Sequence, residues 1–205
     1  MSILKKLKYT FWGMKGNYLS HKMRFEKAIK IYSEMIEMDP TKTRPYRDKL
    51  YCLMAYNRYA EAIEVVDGLI AIEPDNPEYH YIKGSLLTSN DIQQYEQALT
   101  HYDQAIALKK DHMMSYLEKG LSLMNLERYD EAIDNLNQAI FITPEKAYWA
   151  YYYKAIIMKK RGKYDAAINL CNTALVTDMG KNFDKSMASS LKDQLLKLAD
   201  EKGNV

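Results

Sequence analysis

Four histidines and two cysteines are the side chains in this 205-residue sequence best suited to holding a metal ion or forming a covalent intermediate, and their spacing favours neither. His21, His80, His101 and His112 include no pair at the i, i+4 spacing that aims two imidazoles of one helix at a single metal. Cys52 and Cys171 form no Cys-x-x-Cys unit; they read as free thiols, buried or half-buried in two different helices. The sequence has no Gly-rich phosphate loop and no Gly-x-Ser-x-Gly elbow, and its acidic residues are scattered over polar helix positions. The expectation is a protein that is not an enzyme and uses no metal or cofactor. An enzyme whose site is assembled from residues distant in sequence is the remote alternative.

The chemistry left is recognition, for which the chain carries 18 Tyr and 12 Met. The elements that position them follow from an internal repeat. A sixteen-residue phrase opening on an aromatic returns at Phe25, Tyr59, Tyr95, Tyr129 and Tyr164, with starts 34, 36, 34 and 35 residues apart. Self-similarity at that period marks stacked supersecondary units, none of which buries its apolar face alone. Each phrase reads as a helix, since residues such as Tyr129, Ala132, Leu136 and Ala139 share one face at helical spacing. A second amphipathic segment precedes each phrase: 12–19, 46–53, 80–87, 116–123 and 151–158. Each repeat is thus a helical hairpin. Eight positions into each unit stand Gly16, Gly84, Gly120 and Ala155, small enough to admit the partner helix, with Leu50 the exception in the second unit. Ala28, Ala62, Ala98, Ala132 and Ala167 are small for the same reason, and Pro40, Pro74 and Pro144 stop the second helix.

These residues resemble the tetratricopeptide repeat family, whose pattern sets a large residue at position 4, a small one at 8, aromatic at 17, Ala at 20, aromatic at 24, small at 27 and Pro at 32. Counted from Tyr9, the first unit carries Trp12, Gly16, Phe25, Ala28, Tyr32 and Pro40 in these places. Later units supply Tyr46, Tyr59 and Pro74; Gly84, Tyr95, Tyr102 and Ala105; Tyr116, Gly120, Tyr129, Ala139 and Pro144; and Tyr151, Tyr164, Ala167 and Ala174. Lys110 and Met179 replace the terminal Pro, and the third unit is two residues longer at its Asn90-Asp91-Ile92 tip. The resemblance implies an all-α, right-handed α-solenoid of about five tetratricopeptide helical hairpins in a single domain over 1–205. Its repeats fall at about 9–42, 43–76, 77–112, 113–146 and 148–181, followed by a C-terminal capping helix over 182–203. In that helix Phe183, Met187, Leu191, Leu195 and Leu198 share an apolar face, which is expected to cover the fifth unit, with homodimerisation through it as the alternative.

Solenoids of this kind bind, because the first helices of successive units form a concave wall. The resemblance implies that positions 2, 5, 9 and 12 or 13 line it: Asn17; Arg44, Arg47 and Tyr51; Glu78, Tyr81, Ser85 and Ser89; Met114, Leu117, Leu121, Met124 and Asn125; Trp149, Tyr152, Ile156, Lys159 and Lys160. The wall would begin basic and polar, turn apolar at Leu117, Leu121 and Met124, and end aromatic. Exposed apolar anchors on a concave surface mark an interaction site, so a partner peptide or helix is expected against the fourth and fifth units, unless the chain's own C-terminal helix folds across them. Trp149 and Tyr152 are surplus to repeat packing and are candidate anchors. The two-carboxylate clamp of chaperone-binding relatives is matched only at Asn17, with Gly13, Asp48, Glu78 and Ile82 in its other places; the acidic tails of major chaperones are therefore not the expected ligand.

Net charge is +2, although the first fifty residues hold twelve Lys or Arg against five Asp or Glu. That asymmetry reads first as a solvated face, and the single Lys159-Lys160-Arg161 cluster is a poor footprint for nucleic acid. No apolar run reaches the ~18 residues of a spanning helix or the length of a signal peptide, which excludes membrane insertion and places the chain in the cytoplasm. Ile3, Leu4, Leu7 and Phe11, opposite Lys5, Lys6 and Lys8, are expected to pack on the first hairpin, being short for interfacial binding. The function expected is a scaffold or adaptor that binds a partner protein in its concave groove. The alternative is a dedicated secretion or assembly chaperone that sequesters an apolar segment of one client.

Overall fold

The opening aromatic of each repeated phrase is the first residue of a helix. In a computed structural model, which describes residues 3–177, 179–180 and 183–203, the second helices are α2 (Phe25–Met38), α4 (Tyr59–Ile72), α6 (Tyr95–Leu108), α8 (Tyr129–Ile142) and α10 (Tyr164–Val176). The first helices are α1 (Ile3–His21), α3 (Thr43–Ala55), α5 (Pro77–Leu87), α7 (Met113–Asn125) and α9 (Tyr148–Lys160), and α11 (Ser186–Gly203) ends the series. No strand occurs among the described residues, and the fold is the all-α solenoid class expected from the repeat. Helix α1 starts six residues before the repeat boundary at Tyr9. The chain divides into two compact units, 1–108 with α1 to α6 and 109–205 with α7 to α11. Within each unit every helix packs on the next, and first helices also meet, α1 on α3 and α7 on α9.

The turn inside each hairpin has one construction. Two residues before each second helix the backbone is left-handed, at Met23, Asn57, Gln93, Glu127 and Gly162. The following N–H reaches back to the last turn of the first helix: Arg24 to Leu19 at 2.8 Å, Arg58 to Leu53 at 2.9 Å, Gln94 to Leu87 at 2.8 Å, Arg128 to Leu123 at 2.9 Å and Lys163 to Met158 at 3.0 Å. In the first, second, fourth and fifth hairpins this is a six-to-one closure, and in the third it spans two residues more; each satisfies a carbonyl that the helix end would leave unpaired. Only the fifth hairpin has glycine at the left-handed position. The two extra residues of the third hairpin fall before Gln93, so its closing hydrogen bond reaches back seven residues instead of five.

Inside the hairpins, volumes at two facing positions are reciprocal. Gly16, Gly84 and Gly120 receive Tyr32, Tyr102 and Leu136; a Cβ on these glycines would lie 2.6, 2.6 and 2.8 Å from the nearest atom of those side chains. The second hairpin reverses the arrangement. Leu50 stands where the others have Gly, and Val66 stands where they have Tyr or Leu, both in one buried cluster. Its close approach is moved to Gly68 of α4, over which the Tyr46 ring lies. The fifth hairpin meets in the middle, with Ala155 and Cys171 both buried. Cys52 and Cys171 are free and buried, and burial raises both thiols above their ordinary range.

Gly84→Ala is expected to destabilise the protein by about 1–3 kcal/mol, because the added methyl meets the fully buried Tyr102 ring. Gly13→Ala, whose methyl would sit 3.6 Å from Met35, is expected to stabilise by about 0.5–1 kcal/mol through helix propensity. Thermal melting of the two variants checks the pair.

Candidate functional site

In the first unit the first-helix layer opens into a cleft of about 460 Å³ lined by Asn17, Ser20, His21, Met23, Phe25, Tyr32, Asp48 and Tyr51. Its floor is built from the core upward. The Tyr32 ring fills the space over Gly16, which carries its hydroxyl out to donate to Asn17 Oδ1 at 2.9 Å. Beside it the buried Cys52 thiol donates to Ser20 Oγ at 3.5 Å. Asp48 is half-buried; burial pushes its carboxyl up while Arg44 and Arg47 pull it down, Arg44 Nε standing 3.7 Å away. The rim is aromatic. Tyr51, 63% exposed, and Tyr56 both meet the Phe25 ring edge-on, at centroid distances of 6.3 and 5.5 Å.

Of the expected groove residues in this unit, Asn17 and Tyr51 line the cleft, while Arg44 and Arg47 are exposed beside it. Tyr81 and Ser85 are half-buried on α5, Tyr81 tilted 6.3 Å from the Tyr102 ring. Asp48, Ser20, His21 and Tyr32 were not expected there. Asp48 occupies position 6 of its unit, which adjoins position 9 on the same helical face, and Tyr32 reads from sequence as core alone.

The second unit differs from expectation in its centre. Leu117 is buried, 6% exposed, and is not an exposed anchor, because α7 is packed on two sides by α8 and α9. Leu121 and Met124 are half-buried; Asn125 is exposed, its amide donating to the Leu121 carbonyl at 3.0 Å. Lys160 lies over Tyr129 of α8, 5.7 Å from the ring centroid.

The aromatic run on α9 is largely engaged by the chain's own C-terminal segment. Tyr148 is fully buried and meets Trp149 at 5.1 Å, Phe183 at 4.9 Å and Tyr152, nearly parallel, at 6.2 Å. Its hydroxyl accepts the Ala188 N–H at 3.1 Å, in the first turn of α11. Leu191 and Leu195 of α11 join Ala155, Ala167 and Cys171, with Tyr152 and Ile156 packed against them. Lys159 Nζ donates to Gln194 Oε1 at 3.0 Å. Lys185 Nζ donates to the Leu175 and Thr177 carbonyls at 2.8 and 2.5 Å, closing the end of α10 where a cation is favoured. Tyr152 and Ile156 therefore support α11 as well as facing outward. What remains beside them is Tyr153, stacked on Trp149 at 5.9 Å, with its hydroxyl pushed up to about 12 by burial, then by Glu118 and Tyr152. Glu118 is held above the ordinary carboxylate range by burial.

Elsewhere the fold brings together two histidines that sequence spacing keeps apart. His80 and His101 stack at 6.1 Å, and His80 Nε2 lies 2.9 Å from the Pro74 carbonyl. No third ligand joins them: among the described residues no cluster of three His, Cys, Asp or Glu is placed to hold a metal ion.

A family model described as "Tetratricopeptide repeat" matches residues 23–86, and one described as "Anaphase-promoting complex, cyclosome, subunit 3" matches 55–139. Together the matches run from residue 23 to residue 139, from just before α2 into α8. The chain is a tetratricopeptide repeat protein. Similar curated proteins include the TPR repeat-containing protein MJ1428 of Methanocaldococcus jannaschii, 33% identical over 34% of this chain and 12% of its own length. Another is the mitochondrial import receptor subunit TOM70 of Homo sapiens, 27% identical over 73% of this chain and 26% of its own. The chain thus spans less than a third of the length of the curated relatives it matches. Among solved structures, MamA superposes with a TM-score of 0.73 at 24% identity, covering 82% of this chain and 90% of its own. YrrB superposes with a TM-score of 0.69 at 20% identity, covering 87% and 88%.

In this tetratricopeptide repeat protein Glu118 is a carboxyl whose folded value lies above its unfolded one. The folded state then keeps a proton that the unfolded chain has released, so stability falls as pH rises from the ordinary carboxylate range through the raised value. Glu118→Gln is expected to raise Tm at neutral pH, and the gain should vanish below about pH 4, where both states are protonated. Melting curves of both proteins across that range check the sign.

Proposed function

We propose that the protein is an interaction scaffold that holds a segment of a partner protein in the cleft of its first unit. The observation that carries this reading is the cleft's composition: a half-buried carboxylate, Asp48, beneath the exposed ring of Tyr51. A carboxylate partly removed from water gains from a cation brought to it, and an aromatic rim buries the alkyl stem of that cation at little entropic cost. The fitting ligand is a peptide segment with a Lys or Arg side chain that lies along the exposed Tyr51 ring and pairs with Asp48, while Asn17 and Ser20 meet its backbone. Similarity of fold supports a binding role of this kind: YrrB is described as a TPR protein with an unusual peptide-binding site. The second unit is a poorer place to sequester an apolar client, because α11 already lies on part of the α9 face and Leu117 is buried.

Selection of a random peptide library on the intact chain tests the reading. Selected peptides should share a basic residue, and their affinity should fall at least about tenfold for Asp48→Asn and again for Tyr51→Ala. Both positions lie outside the fully buried core, so circular dichroism should show the fold retained. Selected peptides that bind both variants as tightly as the wild type place the site elsewhere.

A further inference from the structure

Helix α1 is apolar on two opposite sides. Its inner side, with Tyr9, Trp12, Gly16 and Leu19, joins the core of the first hairpin. Its outer side carries Ile3, Leu4, Leu7, Phe11, Met14 and Tyr18, each between 58% and 79% exposed. The first-hairpin packing expected for Ile3, Leu4, Leu7 and Phe11 is therefore not what the structure shows. The hairpin takes up the opposite side of the helix, and the outer row extends on to Met14 and Tyr18. At 100° per residue these six side chains fall within about 60° of one line, which runs for about 24 Å along the helix. A row of large apolar groups in water marks a surface that is covered when the protein works.

The charges around this row select its cover. Helix α1 contains Lys5, Lys6, Lys8 and Lys15 and no Asp or Glu. Lys8 lies over the Trp12 ring at 4.2 Å, on the flank where α1 faces α2. On that same flank a cleft of about 490 Å³ gathers Lys15, Arg24, Lys27 and Lys30 against one acid, Glu34. A second copy of α1 laid on the first would bring lysines against lysines in the desolvated contact, which disfavours self-association. The row, from Leu4 to Tyr18 at alternating steps of three and four, spans about two heptads, short of the three or four that sustain a coiled coil. A lipid surface meets both features at once. It offers an apolar interior to a single protruding helix and anionic phosphates at the depth of the flanking cations, the two signals that together give interfacial binding. No helix among the described residues is long and apolar enough to cross a membrane, so the contact is with the surface.

We infer that α1 lies flat on an anionic phospholipid surface, with Leu4, Leu7, Phe11 and Met14 among the acyl chains and the Lys15, Lys27 and Lys30 cleft against the lipid phosphates. The test is co-sedimentation of the full chain with vesicles of phosphatidylcholine, with and without phosphatidylserine, at low and raised ionic strength. Binding should be at least about tenfold stronger with phosphatidylserine and should weaken with salt. The double substitution Leu7→Asp, Phe11→Asp should reduce it at least about tenfold while leaving the melting temperature near that of the wild type, since both side chains are exposed. Lys27→Glu, Lys30→Glu should reduce it too, by removing attraction without touching the apolar row. Failure of the wild type to bind phosphatidylserine vesicles overturns the inference, as does undiminished binding by the Leu7, Phe11 variant. Sedimentation equilibrium supplies the last arm: a wild-type dimer that the same two substitutions split assigns the row to a second copy, and a monomer leaves it to lipid.

Discussion

The structure depends on how closely the two helices of each hairpin approach, and that distance is set by a reciprocal pair of side-chain volumes. Where the first helix is cut back to glycine, the second fills the gap with Tyr32, Tyr102 or Leu136; where the first carries Leu50, the second is reduced to Val66. Close packing tolerates neither a void nor a surplus methyl at such a contact, so the two positions behave as one constraint. The same constraint reaches the surface. Tyr32 is long enough to cross over Gly16 and emerge at Asn17, so a core residue supplies a hydroxyl to the floor of the open cleft and orients its amide. The core and the cleft floor of the first unit thus share a side chain.

At the end of the second unit the recurring element changes its duty. Helix α11 packs on α10 as α9 packs on α8, taking the place that another first helix would take. Its inner face supplies Ala188, Leu191 and Leu195, which are buried, while Ser189, Ser190, Asp193 and Lys197 face solvent. A terminal unit needs such a two-sided helix, because a further repeat helix would present a fresh apolar face to water. The docking is directional. Tyr148 takes the Ala188 N–H, Lys185 takes two carbonyls near the end of α10, and Phe183 seats on the Tyr148 and Trp149 rings. The aromatic residues of α9 that exceed the repeat pattern are accounted for largely by this contact.

Much of this was legible in the sequence because the repeat pattern is a record of the hairpin contact. The five aromatics that open the phrases are the first residues of five helices, and the small residues at position eight are the ones that admit large partners. What periodicity does not report is which elements cover a given face. Leu117 sits at a position that a lone helix would expose, yet α8 and α9 bury it. The row on α1 has the opposite history, reading as packed and standing exposed, since a helix with two apolar sides gives no ranking between them. Gly68 and the left-handed residues Met23, Gln93 and Glu127 left no trace of another kind. Three of those turn residues are types that rarely adopt such a backbone, and the hydrogen bond from the next N–H to the end of the preceding helix holds them there. Asp48 was legible as a residue that repels a carboxylate, but not as the charge at the centre of a cleft.

Helix α1 carries three faces on 19 residues, and their separation follows from helical geometry alone. Trp12, Gly16 and Leu19 point to the core, Asn17, Ser20 and His21 to the cleft, and Leu7, Phe11 and Tyr18 away from both. A turn of the helix by one residue would exchange these faces, so all three depend on its rotation being locked. The lock is the Tyr32 ring over Gly16 with its hydroxyl on Asn17, because that contact is lost if either residue moves around the axis. With rotation fixed, a ligand in the cleft and a surface against the outer row meet different atoms of a rigid element. Two such sites influence one another only through a second arrangement that both bind unequally, and a locked helix offers none. The cleft and the outer row are therefore independent, and substitutions in one leave the other intact.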